Sequence, residues 1–185
     1  MAGKLEARGL REIGLLTNDL VVEMEEHAPH TTEPLIQLEV NRVVEDSSTE
    51  TRIVVLTRAD GASDHFMVWV GASEGEAIRR ALDTSTTPRP MSHDVIKSFG
   101  EHRGIKMERA VLTDVKSSTY YATVFLENKG VARTIDSRPS DAIALALRCQ
   151  APIYVTQDVW RRRSGQNLDA WLSKLETKNI GAQEV

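Results

Sequence analysis

The sequence predicts an α+β fold in which two β-β-β-α units follow one another along the chain. The first reason is a repeat: Val70–Leu82 resembles Ile135–Leu147 at an offset of 65 positions, with an acidic residue beside an apolar helix start in each copy. The second is the alternation of apolar and polar residues before each helix, which is typical of half-buried strands. The third is that only short intervals separate the strand segments, which favours hairpins and a mostly antiparallel sheet.

The first unit is predicted to contain three strands and two helices. Its strand segments are rich in β-branched residues and are bounded by polar turns: Leu35–Val44, Arg52–Thr57 and His65–Val70. Ser73 and Glu76 have the S-x-x-E spacing of a capping box, which predicts a helix from there to about Leu82. After a loop rich in threonine and proline, Ser92 is expected to cap a second helix. The apolar face of that helix is formed by Val95, Ile96 and Phe99.

The second unit repeats the plan. Its strands are predicted in three segments: Ile105–Val115, Thr119–Glu127 and Val131–Ile135. The run Asn128-Lys129-Gly130 predicts a tight turn between the last two. A helix is predicted over Pro139–Cys149, because proline suits the first helical position. This helix is apolar nearly all round and should be buried on more than one side. Ile153-Tyr154-Val155 is expected to be a last short strand.

The chain is expected to have three parts. Residues 1–33 form an acidic N-terminal arm with a loose helical stripe, and residues 34–160 form the body. Residues 161–185 begin with the basic run Arg161–Arg163 and a linker. They then show the apolar stripe of a short amphipathic helix: Leu168, Trp171, Leu172 and Leu175. That stripe is expected to dock on the body or on a protein partner.

Charge and composition restrict the function. The net charge of −4 comes from the N-terminal arm, because residues 34–185 hold equal numbers of acidic and basic residues. The body therefore lacks the basic surplus of a passive nucleic-acid-binding protein, and needs a local basic patch or a bound cation to approach a polyanion. With no signal peptide and no apolar segment of membrane-spanning length, the expectation is a soluble cytoplasmic protein.

Several chemistries receive no support from the sequence. The single cysteine, Cys149, cannot form an internal disulfide. The chain has no P-loop, G-x-G-x-x-G, G-x-S-x-G, H-E-x-x-H or paired C-x-x-C motif. Nucleotide kinases, dinucleotide-dependent oxidoreductases, serine hydrolases and zinc fingers are therefore not indicated.

The strongest candidate for chemistry is the junction that contains Asp136, Arg138 and Asp141. A turn from strand to helix exposes side chains at a sheet edge and offers unpaired helix N–H groups to an anion. Carboxylates there can hold a divalent cation, and an arginine can bind a phosphate through two N–H groups. In the structural alternative, Asp141 caps its own helix and Asp136 orients Arg138.

A second candidate is the loop that carries Arg89, His93 and Asp94 to a helix start. An imidazole there could act as a general base or a metal ligand near neutral pH. In the structural alternative, Asp94 interacts with the helix dipole and His93 is a hydrogen-bonded loop residue. Glu74 occupies the matching turn of the first unit and is a further carboxylate of this kind.

Aromatic and basic residues in the second unit have a weaker link to nucleic acids. Tyr120 and Tyr121 are adjacent on a predicted strand and must point to opposite faces. One is expected in the core, and the other could stack on a base. The run Arg161–Arg163 could contact phosphates or be a solvated helix end.

Five segments in the same order resemble the bifunctional nuclease family, a group of small proteins of bacteria and plants. They lie within about residues 34–160: Trp69–Ile78, Pro88–Asp94, Thr119–Ala122, Asp136–Arg148 and Pro152–Val155. The departures are small, since the family usually has Thr at Ser92, Phe at Tyr120 and Ala at Ser137. The resemblance implies an internally duplicated α+β domain with a barrel-like sheet and nuclease activity on DNA and RNA. It does not identify catalytic residues.

The leading hypothesis is a metal-assisted nuclease that hydrolyses the phosphodiester bonds of DNA and RNA. The predicted catalytic residues are four: His93, Asp94, Asp136 and Asp141. Mg²⁺ or Mn²⁺ would be held by Asp136 and Asp141, with Glu74 as a further ligand, and His93 would activate water. Arg89 and Arg138 would bind the phosphate. The alternative is a non-catalytic regulatory or protein-interaction module in which the Asp–Arg turns are structural. Under either hypothesis we expect a homo-oligomer and no membrane partner.

Overall fold

The computed structural model describes residues 34–46, 49–85, 87–117 and 119–164, and within these ranges the chain forms seven strands and four helices. The first half consists of β1 (Leu35–Asp46), β2 (Thr51–Arg58), β3 (His65–Gly71), α1 (Ala72–Leu82) and α2 (Ser92–His102). The second half consists of β4 (Ile105–Lys116), β5 (Thr119–Asn128), β6 (Val131–Ser137), α3 (Pro139–Cys149), β7 (Ile153–Thr156) and α4 (Gln157–Arg163). The predicted helices of the N-terminal arm and of the 168–175 stripe lie outside these residues.

The strands form one mixed sheet in the order β3-β2-β1-β7-β4-β5-β6. Within each predicted unit the three strands are antiparallel neighbours, as the short connections indicate. The short strand β7 joins the two units, pairing antiparallel to β1 and parallel to β4. The α+β class and the mostly antiparallel sheet are therefore confirmed, and β-β-β-α order occurs twice, while common descent of the two units stays a prediction.

The sheet is strongly curled but it is not closed, so the expected barrel-like sheet is corrected to an open one with β3 and β6 at its edges. Its curvature brings Phe66 of β3 to Tyr120 of β5, with ring centroids 5.5 Å apart. A barrel of about eight strands has room inside only for side chains. Here the inner face also packs against α1 and α3, whose Ile78 and Ile143 are fully buried in the core.

Strand β2 is buried on both faces of the sheet. Val54 and Leu56 belong to the main core, which also contains α1, α3 and α4. Ile53 and Val55 point the other way and form a second cluster with Met67 of β3. This explains why β2 is a continuous apolar run, whereas most other strands alternate.

Local signals placed the helix boundaries well, but two predicted caps are wrong. The helix α1 begins at Ala72 after Gly71, and the Ser73 hydroxyl donates a hydrogen bond to Glu74 instead of forming a box with Glu76. Glu76 pairs with Arg79 and Arg80 on the helix surface. Ser92 is the first residue inside α2, and the cap is completed by the Asp94 carboxylate, which accepts a hydrogen bond from the Met91 N–H.

Other local predictions are confirmed. Pro139 is the first residue of α3, which buries residues on several sides. Lys129 and Gly130 both have positive φ angles, 51° and 80°, as a two-residue hairpin turn requires. None of the described helices is both long enough and apolar enough to cross a lipid bilayer. The helix α4 runs through the predicted domain boundary at residues 160 and 161, and the three-part division stays a prediction.

Candidate active site

The two acidic strand-to-helix junctions, 64 residues apart in sequence, meet in space. Glu74 lies in the first turn of α1, directly after edge strand β3, and Arg138 precedes α3, directly after edge strand β6. The Arg138 Nη1 group donates a 3.0 Å hydrogen bond to Glu74 Oε1. The curvature of the sheet therefore brings together the helix starts that follow its two edge strands, and an ion pair joins them.

Asp141 is the central acceptor of this site. Arg138 donates to both of its oxygens, from Nε at 2.7 Å and from Nη2 at 3.2 Å. His93 Nε2 lies 3.1 Å from the same carboxylate, although His93 comes from α2. Asp141 accordingly links α3 to α2 and does not cap its own helix, since no side-chain cap is present there. We call Glu74, Arg138, Asp141 and His93 the junction network.

The electrostatics of the network keep both carboxylates ionised. The Glu74 pKa is lowered by a hydrogen bond from its own backbone N–H, by Ser73 and by Arg138. Burial acts to raise the pKa of Asp141, but hydrogen bonds from Arg138 and His93 outweigh it and the pKa is lowered. The pKa of Arg138 is raised in turn, chiefly by its hydrogen bonds to Asp141. At neutral pH the network therefore contains two carboxylates and one guanidinium.

The orientation of His93 follows from this charge state. An ionised carboxylate can only accept hydrogen bonds, so the Nε2 atom of His93 must carry the proton that it shares with Asp141. In the neutral imidazole, the lone pair then lies on Nδ1. The His93 side chain is only 14 % exposed, so its ring has little freedom to turn away from Asp141. This pair has the elements of a general base with an orienting carboxylate.

The start of α2 is held by a residue that the sequence analysis did not select. Arg148 of α3 is 8 % exposed, and its Nε donates a 2.6 Å hydrogen bond to Asp94 Oδ1. Its Nη1 donates to the carbonyls of Ala77 and Ala144 at 3.1 and 3.0 Å. Burial acts to raise the pKa of Asp94, but hydrogen bonds from Arg148 and the Met91 N–H lower it overall. Arg148 therefore ties α1, α2 and α3 together, and its partner Asp94 is the residue next to His93.

A signal for Arg148 was present in the sequence. It follows the six apolar residues Ala142–Leu147, in a helix expected to be buried on several sides. A charge in such a place requires an opposite charge or several acceptors. Sequence alone does not say that the acceptor would be Asp94, which is 54 positions away.

Three predicted site residues are not part of the junction network. Asp136 is exposed on β6, opposite Thr123 of β5, and its carboxylate has no hydrogen bond or ion pair with the described residues. Arg89 is exposed in the loop before α2, and its guanidinium makes no contact with the network within the described ranges. Asp94 is next to His93 in sequence, but its carboxylate pairs with Arg148 and with no side chain of the network.

The carboxylates were also predicted to hold a metal ion. In the part of the chain that the structure describes, no three His, Cys, Asp or Glu side chains are grouped in a way that could bind one. Glu74 and Asp141 are bridged by Arg138, whose guanidinium occupies the oxygens that a cation would use. The donor set does not fit a resident divalent cation, and Mg²⁺ or Mn²⁺ dependence stays a prediction.

Comparison with known proteins places the chain in a family. The family model described as "Bifunctional nuclease domain" matches residues 54–167, well over half of the chain. An uncharacterized protein of Mycobacterium tuberculosis is 31% identical over 106 residues, which cover 57% of this chain and 63% of the relative.

Plant relatives share a shorter part of their length. "Bifunctional nuclease 1" of Oryza sativa subsp. japonica is 28% identical over 109 residues, covering 57% of this chain and 33% of the relative. "Bifunctional nuclease 1" of Arabidopsis thaliana is 29% identical over 107 residues, covering 56% and 33%. The matched region thus spans about a third of the plant proteins and less than two thirds of the mycobacterial one. With a match of this extent and both acidic junctions inside it, the chain belongs to the bifunctional nuclease domain family.

Proposed function

We propose that this protein is a nuclease that hydrolyses phosphodiester bonds of DNA and RNA at the junction network. The observation that carries the proposal is the meeting of His93, Asp141 and Arg138, which come from two helices and combine a base with a phosphate-binding cation. Family membership supports the nuclease class. The plant relatives, which are named bifunctional nucleases, support it too.

Each group of the network has a distinct task in the proposed reaction. His93 accepts a proton at Nδ1 from the water that attacks the phosphorus, and Asp141 stabilises the imidazolium that forms. The bond from phosphorus to the leaving oxygen breaks, and that oxygen takes a proton from solvent. Arg138 uses three N–H groups on Asp141 and Glu74. A guanidinium has five N–H donors, so two remain for the non-bridging oxygens of the phosphate. Glu74 holds Arg138 in place from the opposite sheet edge.

The proposal is tested by incubating the full chain with end-labelled single-stranded DNA, duplex DNA and RNA. Parallel reactions contain Mg²⁺, Mn²⁺ or EDTA, which also tests the predicted cation. We expect cleavage of both DNA and RNA that depends on His93. Activity that is lost in EDTA and restored by one cation would support a metal supplied with the substrate. Absence of cleavage under every condition would contradict the nuclease proposal.

A second candidate function is a non-catalytic binding module. It is favoured by one observation: Arg138 is held by three hydrogen bonds to two carboxylates, as expected of a structural brace between the sheet edges. Under this alternative, Arg138→Gln lowers the stability of the domain without any cleavage activity to lose. The predicted protein partner of the 168–175 stripe belongs to the same alternative and lies outside the described residues.

We also propose that α2 forms an interface with a second copy of this chain. Within the described ranges α2 has no buried residue, although it carries Val95, Ile96 and Phe99, and Phe99 is 68 % exposed. A cavity of about 670 Å³ opens beside it, between α2 and the exposed edge strand β6. Its lining holds two ion pairs within the chain, Lys97–Glu101 and Lys106–Glu108, so the patch carries no net charge. A two-fold interface brings the same surface of both copies together, and a patch without net charge does not repel its own copy.

Phe99→Glu is expected to convert the oligomer to a monomer, because a carboxylate would be buried in the apolar contact. Light scattering coupled to size exclusion at several concentrations measures the mass. Ser63→Glu, in the exposed β2–β3 loop, is the matched control and should leave the mass unchanged. A monomeric wild-type protein at high concentration, or an unchanged Phe99→Glu oligomer, would contradict this interface.

A further inference from the structure

Tyr121 is an exposed aromatic residue on the outer face of the sheet. Its neighbour Tyr120 points inward, where its ring packs against Phe66 and its hydroxyl donates a 3.2 Å hydrogen bond to the Met67 carbonyl. Because side chains alternate along a strand, Tyr121 points to the opposite face, and it is 40 % exposed there. Core packing explains Tyr120 but not Tyr121.

Tyr121 lies beside the junction network. In the β5–β6 pairing, Thr123 is opposite Asp136 and Ala122 is opposite Ser137. Tyr121 is therefore one step further toward Arg138, which continues β6 with an extended backbone. Adjacent strands are about 4.8 Å apart, so the backbone of Tyr121 lies about one strand spacing from that of Arg138, the proposed phosphate-binding arginine.

One cation lies beside Tyr121. The Lys116 ammonium lies 5.3 Å from the centre of its ring and 3.1 Å from an Asp114 carboxylate oxygen. Arg162 of α4 donates to the Val115 carbonyl at 2.9 Å and to Asp114 at 2.9 Å. The Arg163 guanidinium lies 5.8 Å from the centre of the Tyr120 ring, on the other face of β5. Lys116 is therefore the cation placed to accompany a phosphate beside Tyr121.

We propose that Tyr121 and Lys116 bind single-stranded nucleic acid, with a base stacked on Tyr121 and the adjacent phosphate on Lys116. The inference rests on the proposed nuclease function and names its substrate form. Stacking on a side chain requires a base with a free face, which single strands offer and intact duplexes do not. The bound strand continues from Tyr121 to Arg138, so the platform positions the scissile phosphate.

Binding is tested with fluorescein-labelled 12-nucleotide single strands of DNA and RNA. Their phosphorothioate links, together with EDTA in the buffer, prevent cleavage. Fluorescence anisotropy is measured for the full chain, with the duplex of the same length as comparison. Stacking of one base contributes about 1–3 kcal/mol, so Tyr121→Ala should weaken single-strand binding about 5- to 150-fold. Tyr121→Phe should bind nearly as well as the wild type, because it keeps the stacking ring.

The charge component has its own readout. Lys116→Gln should lower the slope of log affinity against log salt by about 0.7, the loss of one phosphate contact to a single strand. Lys129→Gln, in the turn at the other end of the hairpin, is the matched control and should not change the slope. Melting temperatures show that each variant is folded, since both side chains are on the surface.

The outcomes separate this inference from the proposed function. If the wild-type protein cleaves, and Tyr121→Ala binds single strands as tightly as the wild type, the binding surface of Tyr121 and Lys116 is contradicted and the nuclease proposal stands. Tyr121-dependent binding without cleavage under any cation supports the platform and contradicts the nuclease proposal. Equal affinity for the single strand and the duplex overturns the assignment to single strands. In the active enzyme, we expect Tyr121→Ala to raise KM more than it lowers kcat.

Discussion

His93→Ala is expected to lower the rate of phosphodiester cleavage by a factor of about 10² to 10⁴, the usual contribution of a general base. Asp141→Asn should cause a loss of similar size, because an amide no longer selects the His93 tautomer with its proton on Nε2. Initial rates on a labelled single strand, with matched protein concentrations, provide the measurement. The reason for the large effect is that the two groups act as one unit through a 3.1 Å contact.

Glu76→Gln is the control for these variants. It removes an acidic group from the same end of the molecule, but Glu76 contacts Arg79 and Arg80 on the surface of α1 and not the junction network. Its rate should match that of the wild type.

The double variant of His93 and Asp141 should cleave no more slowly than the slower of the two single variants. The reason is that the two residues act as one catalytic unit, so removing either one already removes its contribution. Full activity in either single variant would show that the chemistry lies elsewhere.

Arg148→Met is expected to destabilise the domain by about 2–3 kcal/mol. Removing one partner of a buried ion pair costs about 3–5 kcal/mol. The cost expected here is at or just below the lower end of that range, because the Asp94 side chain is 38 % exposed and stays hydrated. The substitution also removes the hydrogen bonds that Arg148 donates to the carbonyls of α1 and α3. Urea unfolding measures the change in the free energy of unfolding.

Arg79→Met is the control for Arg148→Met. Arg79 also pairs with two carboxylates, but on the exposed surface of α1, so its loss should cost less than about 1 kcal/mol. A double-mutant cycle with Asp94→Asn isolates the pair, and its coupling energy should exceed 0.5 kcal/mol. Equal stabilities of Arg148→Met and Arg79→Met would contradict the role of Arg148 in tying the helices together.

The pH dependence of stability gives a second readout for Arg148. The pKa of Asp94 in the folded protein is below its ordinary value of 3.8. The pair of Arg148 and Asp94 therefore contributes its full share of the free energy of unfolding above about pH 3.8. This contribution is lost as the pH falls through the lower folded pKa. In Arg148→Met the Asp94 pKa moves back toward 3.8, and the difference between wild type and variant should shrink as the pH falls below about 4.

Much of the fold follows from local sequence pattern. The strand segments, the Lys129–Gly130 turn and the start of α3 at Pro139 are all where alternation and turn chemistry predict them. The predicted capping box at Ser73 is wrong because Glu74 and Glu76 have other partners. A capping box involves only the four residues from the N-cap to N3, within one helical turn, and it does not form when a neighbouring arginine offers Glu76 a stronger, charged hydrogen bond.

The candidate site was predictable only in part. Sequence singled out both acidic junctions and the His93 loop, because each places polar side chains at a helix start. It also grouped Asp136 with Asp141, and the structure separates them: Asp136 points from the outer face of β6, whereas Asp141 lies inside the first turn of α3. Residues five positions apart across a strand-to-helix turn have no fixed relative direction, so spacing alone does not decide this.

The sequence by itself determined which segments are strands and helices and which short stretches carry the charged groups, because periodicity and turn chemistry act within a few residues. Only the tertiary structure decided which of these groups meet. Glu74 reaches Arg138, His93 reaches Asp141 and Asp94 reaches Arg148 across 64, 48 and 54 positions. Those contacts depend on how far the open sheet curls and on how α1 and α2 pack against α3, which are cooperative properties of the whole core.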